Sequence, residues 1–343
     1  MKTSDFDYNL PEHLIAQTPL ENRSASRMLV VHKNTGQLEH TSFSHIIDYL
    51  HEGDVLVRNN TRVIPARLFG IKEGTGAHVE VLLLKQEGND IWECLVGNAK
   101  TVKLDTVISF HDGRLRAQCV EIGEKGIRKF KMIYEGIFNE ILDQLGNVPL
   151  PPYIHERLDN PDRYQTVYAK VDGSAAAPTA GLHFTEDVFN ALKEKGVIVV
   201  DVTLHVGLGT FRPMDTDVVE DHVMHQEVYE MSKETADVLN HAKEENRRII
   251  AIGTTSVRTL ESIYQKYNTF QECSGETTLF IYPGYKWKVV DCMLTNFHLP
   301  KSTLIMMVSS FAGKDLIFKA YEEAVKEEYR FFSFGDCMFI TNE

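Results

Sequence analysis

Two rhythms of hydrophobic and polar positions divide the chain. Between Val63 and Asn147 there are six short, β-rich runs: Ala66 to Phe69, Val79 to Leu84, Ile91 to Val96, Val107 to Phe110, Leu115 to Ile122 and Ile127 to Tyr134. Turn residues separate them, as at Gly88-Asn-Asp90 and His111-Asp-Gly113. Six short strands at regular spacing predict a small closed barrel or sandwich. A helix from Phe138 to Leu145 leads out of it.

Beyond Pro149-Leu-Pro-Pro-Tyr153 the rhythm changes to strand–helix alternation. Helices are predicted at Glu186 to Lys195, Glu234 to Asn246, Thr254 to Tyr267, from Leu304 to Ser309 and at Lys314 to Glu328. Strands are predicted at Val197 to Val206, Arg248 to Ile252, Thr277 to Tyr282, Asp291 to Leu294 and Tyr329 to Ile340. Met28 to Val31 and Val55 to Val57 add buried strands near the N-terminus. Such alternation argues for covered sheet faces. The expected architecture is an α/β domain with a largely parallel sheet, made of residues 1–62 and 148–343. An all-β, barrel-like domain of residues 63–147 is inserted into it.

Composition adds limits. The 343 residues are 43% hydrophobic and 25% charged, with a formal charge of −13. That is an ordinary globular composition, and its acidity disfavours unspecific binding to polyanions. Any nucleic-acid site must concentrate positive charge locally. Residues 100–131 do so, with Lys125, Arg128, Lys129 and Lys131 at the end of the run. Five scattered cysteines form no Cys-x-x-Cys pair, which fits reduced thiols. The N-terminus has no apolar signal core and no apolar run has membrane-spanning length. A cytoplasmic protein with no membrane partner is expected.

Four loops carry candidate chemistry. Tyr168 to Thr185 is rich in small residues and ends in Gly181-Leu-His183-Phe184-Thr185. It suits close approach of backbone to a ligand; taken alone, it reads better as a connector with His183 packed inside. Thr203-Leu-His205-Val-Gly207-Leu-Gly209-Thr-Phe211 ends a predicted strand, and Gly253-Thr254-Thr255-Ser-Val-Arg258 opens a predicted helix. Ligands of open α/β sheets sit beyond the carboxyl ends of strands, and the first amides of a helix hold anions. Arg258 suits either a ligand carboxylate or a neighbouring acid. Thr295-Asn-Phe-His298 again puts a histidine after a strand. His222, His225 and Glu227 invite a metal reading, but a catalytic zinc needs three ligands and an open position. Neither His-Glu-x-x-His nor a cysteine pair is present, and no metal is expected. Tyr282-Pro-Gly-Tyr285-Lys-Trp287-Lys reads either as a base-stacking segment or as a turn with surface aromatics.

These loops, together with Asp5 to Pro11, Val57 to Arg67, Pro151-Pro-Tyr-Ile154, Asp162 to Tyr168, Met224-His-Gln-Glu227 and Thr295 to Thr303, give the chain a likeness that runs nearly end to end. It resembles the S-adenosylmethionine:tRNA ribosyltransferase-isomerases of queuosine biosynthesis. The resemblance implies transfer of the ribosyl part of S-adenosylmethionine, a co-substrate, onto the aminomethyl group of 7-aminomethyl-7-deazaguanine. The implied partner is a tRNA with that base at the wobble position of its anticodon. Epoxyqueuosine-tRNA, adenine and methionine are the implied products, and a monomer is expected.

That chemistry demands a base for the carbon beside the sulfonium, an acid for departing adenine, and deprotonation of the attacking amine. Histidine titrates near working pH, so His183, His205 and His298 are the catalytic candidates. Gly181, Phe184, Gly207, Gly209, Thr254, Thr255 and Arg258 are the cofactor-binding candidates. Phe184, Phe211 or Asp172 suits the sulfonium. Two other classes stay open: a methyltransferase using the same cofactor, and a noncatalytic RNA-binding module built on the barrel.

Overall fold

The computed structural model describes residues 1–156, 158–207, 214 and 216–343. The chain begins with short 3-10 turns and enters β1 (Arg27–His32) and β2 (Leu38–Ser42), followed by β3 (Val55–Asn59) and β4 (Thr61–Val63). Next come β5 (Arg67–Lys72), β6 (His78–Gly88), β7 (Ile91–Val96), β8 (Val107–Phe110), β9 (Leu115–Ile122), β10 (Ile127–Tyr134) and helix α1 (Phe138–Leu145). Then follow β11 (Val171–Ser174), α2 (Glu186–Glu194), β12 (Ile198–Leu204), β13 (Glu227–Met231), α3 (Lys233–Glu244) and β14 (Ile249–Ile252). The chain closes with α4 (Gly253–Tyr267), β15 (Cys273–Thr277), β16 (Cys292–Asn296), α5 (Thr303–Ala312), α6 (Lys314–Lys326) and β17 (Cys337–Thr341).

Two compact units result. One is Met1–Arg62, Pro151–Val171 and Ala177–Glu343; the other is Val63–Leu150 with Asp172–Ala176. The sequence reading assigned 148–150 and 172–176 to the α/β part; here they group with the β-rich unit.

The β-rich unit is a closed barrel in the order β10-β7-β6-β5-β8-β9, every neighbour antiparallel. Alternation drives it. In β7 the residues Trp92, Cys94 and Val96 turn inward while Ile91, Glu93 and Leu95 are half-buried. Period-two burial of this kind closes a sheet around its own side chains.

The α/β unit holds a nine-stranded sheet, ordered β15-β13-β12-β3-β14-β16-β17-β1-β2 among the described residues. Its centre is parallel: β12 with β3, β3 with β14, and β14 with β16. The most central of them, Ile249–Ile252, is a continuous apolar run buried along its whole length. Antiparallel pairing of β16 with β17 brings the segment before β17 to the same rim as the carboxyl ends of β12, β14 and β16. The α/β sheet and the inserted barrel are the architecture the patterning predicts. A core of Leu56, Ile250, Ile252, Leu294 and Phe339 packs with Phe43, Phe184, Phe189 and Leu192. Among the described residues no helix is long and apolar enough to cross a membrane.

Candidate active site

The rim at the carboxyl ends of the central strands holds an open cleft with about 660 Å³ of empty space. Val206 enters it after β12, Gly253, Thr254 and Thr255 after β14, and Thr295 to Leu299 at the end of β16. Ala177 to Ala180 and the Phe332–Ser333 segment before β17 complete the wall, with Tyr153 beside them. This is the rim where α/β sheets receive ligands.

Helix α4 opens straight into the cleft. Gly253 takes φ +79°, a turn that favours glycine, and lets the helix start immediately after the strand. No side chain caps this end, so its first amides are open to a ligand. Thr255 is 8% exposed, lines the cleft, and its hydroxyl has no hydrogen-bond partner.

His298 also lines the cleft, at 9% exposure. Its Nε2 meets the hydroxyl of Thr295 at 2.8 Å. The Tyr321 hydroxyl lies 2.8 Å from its amide, and Tyr8 donates to its carbonyl at 2.5 Å. Burial pushes its imidazole down to about 3, so the ring is neutral.

His183 sits behind the cleft wall, not in it. It is 4% exposed, with Nδ1 at 2.7 Å from the Ser26 hydroxyl and Nε2 at 2.8 Å from Asn296 Oδ1. The Asn296 amide nitrogen donates to the carbonyls of Phe332 (3.1 Å) and Ser333 (3.4 Å). Its oxygen must therefore face the histidine, which donates from Nε2 and accepts from Ser26 through Nδ1. Burial holds this imidazole below its usual range; the Asn296 bond opposes the shift. Asn296 itself lines the cleft, so His183 acts on the cleft through it.

His205 follows β12 directly and bonds the Thr61 hydroxyl through Nδ1 at 2.8 Å. Asn59, fully buried, clasps the same strand end: it donates to the Leu204 carbonyl at 2.9 Å and accepts from the Leu204 amide at 3.0 Å. The polar run Arg58 to Thr61 thus anchors the loop that brings Val206 to the cleft.

Several expectations are corrected. Phe184 is fully buried and stacks on Phe189 at 4.8 Å, edge-on to Phe43, so it belongs to the core rather than the cofactor. Gly181 is a packing position: a Cβ there would lie 2.0 Å from the Tyr168 hydroxyl. Of the two partners open to Arg258, the structure shows the neighbouring acid. Arg258 and Glu227 form a buried ion pair, and Glu227 accepts the Gly207 amide at 3.1 Å. Arg258 therefore fixes the Gly207 turn, and its Nη2 stays buried without a hydrogen-bond partner. Glu227, so engaged, is not a metal ligand, and His222 packs edge-on against Phe280. Among the described residues no three His, Cys, Asp or Glu side chains group as a metal site would. Asp172 is exposed and groups with the barrel unit. Gly209 and Phe211 lie outside the described residues.

In the Tyr282–Lys288 segment the turn reading holds. Tyr285 donates to the buried Glu261 at 2.9 Å, and Trp287 packs on Phe311 and donates to the Ser310 carbonyl. Part of the basic run in the barrel is committed internally. Arg128 donates to the carbonyls of Val102, Gly123, Ile127 and Ala99, and Lys129 pairs with Glu87 and Glu121.

Sequence reasoning passed over two cleft aromatics. Tyr153 and Phe332 pack at 4.8 Å between ring centroids, and the Tyr153 hydroxyl meets Ser333 Oγ at 2.6 Å. Phe332 has φ +70°, a left-handed conformation costly for an aromatic residue. The Asn296 bonds hold it there.

An α/β sheet with an inserted barrel, a helix N-terminus open to a cleft, and buried histidines beside it describe a ligand-binding site at the sheet rim. The comparisons make the class specific. A queuosine biosynthesis protein family matches residues 3–340, and the chain belongs to that family. It is similar to the crystal structure of an S-adenosylmethionine tRNA ribosyltransferase from Thermotoga maritima. Identity is 41%, coverage 98% of this chain and 100% of that one, and the TM-score 0.58.

Proposed function

We infer that this chain is an S-adenosylmethionine:tRNA ribosyltransferase-isomerase. It transfers the ribosyl moiety of S-adenosylmethionine onto the aminomethyl group of 7-aminomethyl-7-deazaguanine at the wobble position of tRNA. Epoxyqueuosine-tRNA, adenine and methionine are the products. Family membership over nearly the whole chain and the named relative support the reading. The observation that carries it to particular residues is the cleft where α4 opens among three strand ends.

In this reading the amides of Gly253, Thr254 and Thr255 hold the methionine carboxylate, and the Thr255 hydroxyl gains the partner it lacks. Tyr153 and Phe332 offer faces for a purine-like ring or for the sulfonium. His298 takes the proton from the carbon beside sulfur. Its ring is neutral, burial holds its basicity low, and an anionic tRNA arriving beside it raises that basicity toward what proton transfer needs. His183 positions Asn296, and His205 positions the Val206 loop.

Incubation with S-adenosylmethionine and tRNA bearing the base tests the reading. Equal release of adenine and methionine is expected, and cofactor deuterated beside sulfur should lose label to solvent. S-adenosylhomocysteine with methylated tRNA would overturn the reading in favour of a methyltransferase.

A further inference from the structure

A smaller pocket neighbours the cleft, with about 310 Å³ of empty space. Arg23, Ser26, Arg163, Leu182, His183 and Gly335 are among its lining residues, and Ser333 borders both cavities. Two guanidinium groups face it. Arg23 donates to the carbonyls of Gln165 (2.8 Å) and Asp162 (3.1 Å), and Arg163 donates to the Leu20 carbonyl. Arg163 Nε is buried with no acceptor, as is Nη1 of the nearby Arg330. None of the three forms an ion pair with a carboxylate among the described residues. The Asp336 carboxylate is taken by the amides of Arg27 and Arg330.

Like charges held together with bare donors are unfavourable until an anion arrives. Burial lowers the pKa of Arg23 and the adjacent charge of Arg163 lowers it further, while the nearby Asp162 carboxylate opposes the shift. Guanidinium forks match the oxygens of a phosphate group. The shared Ser333 wall makes this positive pocket a neighbour of the cleft. The net charge of −13 leaves tRNA dependent on such local positive sites.

We propose that the Arg23–Arg163 pocket is an anion site that takes a backbone phosphodiester of the substrate tRNA while a base of the same stretch occupies the cleft. This rests on the ribosyltransferase reading above. The test is tRNA binding across a range of NaCl concentrations for wild type, Arg163→Gln, Arg163→Lys and Arg23→Gln, each checked for folding by thermal melting. Loss of one phosphate contact should flatten the slope of log Kd against log salt by about 0.7. Both glutamine variants should show it, Arg163→Lys should keep the wild-type slope, and S-adenosylmethionine affinity should stay unchanged in all. If Arg163→Gln fails to fold, Arg23→Gln decides. Folded glutamine variants with the wild-type slope overturn the site. Inorganic phosphate against chloride at equal ionic strength should displace tRNA from wild type more than from Arg163→Gln. Phosphate binding at the pocket with unchanged tRNA slopes would assign it to a free anion and overturn the tRNA assignment. Adenine release by wild type is followed in parallel. Release with unchanged slopes contradicts only the pocket, whereas tRNA binding without release contradicts the enzymatic reading.

Discussion

The barrel and the sheet unit treat their buried polar groups differently. In the barrel, Arg128 is 8% exposed, yet its donors reach four backbone carbonyls, and Lys129 and Arg116 lean on carboxylates of the same unit. In the sheet unit, the Thr255 hydroxyl, Arg163 Nε and Arg330 Nη1 are buried with nothing to bond. Phe332 there holds a left-handed backbone beside the cleft. Buried polar groups are normally satisfied. Where a fold leaves them bare next to a cavity, water or a ligand supplies the missing partner. The contrast teaches that charge alone is a poor guide to a nucleic-acid site. In the most basic stretch of the sequence Arg116 and Lys129 lean on carboxylates of their own unit, while the pocket arginines, which have no carboxylate partner among the described residues, come from separate segments.

The contrast is broken most severely at the cleft. His298→Ala should lower turnover about a hundredfold to ten-thousandfold, with the tRNA Kd within a few-fold, read by single-turnover adenine release and filter binding. A near-normal rate would move proton transfer to another group. His183→Ala should cost less turnover but more stability. It strands the Ser26 hydroxyl and the Asn296 oxygen, for about 1–3 kcal/mol. Urea denaturation with parallel kinetics checks this; the opposite ranking of the two histidines would place His183 at the chemistry.

Thr255→Val sharpens the comparison by separating binding from stability. The hydroxyl has no partner to lose, so the melting temperature should hold or rise. S-adenosylmethionine should bind about threefold to tenfold more weakly, the worth of one ordinary hydrogen bond. Calorimetric titration measures it, and unchanged affinity removes Thr255 from the cofactor.

Acid should weaken the sheet unit. His298 titrates at about 3 in the folded protein and near 6.5 in the unfolded chain. Between those values the unfolded state binds more protons. Stability from this group is therefore full above about pH 6.5 and falls toward pH 3, by up to about 1.4 kcal/mol per unit. His298→Asn should flatten that part of the profile; a profile unchanged by the substitution would argue against the buried neutral ring. The smallest effect is expected in the barrel. Lys131→Glu should change tRNA affinity less than Arg163→Gln does, measured at the same salt. The reverse order would return the RNA site to the barrel.

Much of the fold was legible because it rests on local periodicity. Alternating burial wrote out β5 to β10, and uninterrupted apolar runs marked β3, β14 and β16. The site was only partly legible. The strand-end rule pointed to the loops of Gly253–Thr255 and Thr295–His298, since chain order alone puts them after strands. It could not say which face each side chain takes. His183 and Phe184 are adjacent, and a 3-10 turn sends one to Asn296 and the other into the core. The segment from Tyr329 to Gly335 was hidden by its aromatics, which read as strand. Only the long-range bonds from Asn296 and the φ of Phe332 show that it turns toward the cleft. Arg23 and Arg163 meet through tertiary packing, which no local pattern encodes.

The central claim is that the cleft runs ribosyl transfer, and product identity tests it most directly. S-adenosylmethionine labelled separately in its methyl, ribosyl and adenine parts is incubated with tRNA carrying 7-aminomethyl-7-deazaguanine, and products are separated by chromatography. The account predicts ribosyl label on the tRNA, adenine label free, and methyl label in methionine, in equal amounts. Methyl label on the tRNA with S-adenosylhomocysteine released, or no turnover by a folded protein that binds both substrates, would contradict it.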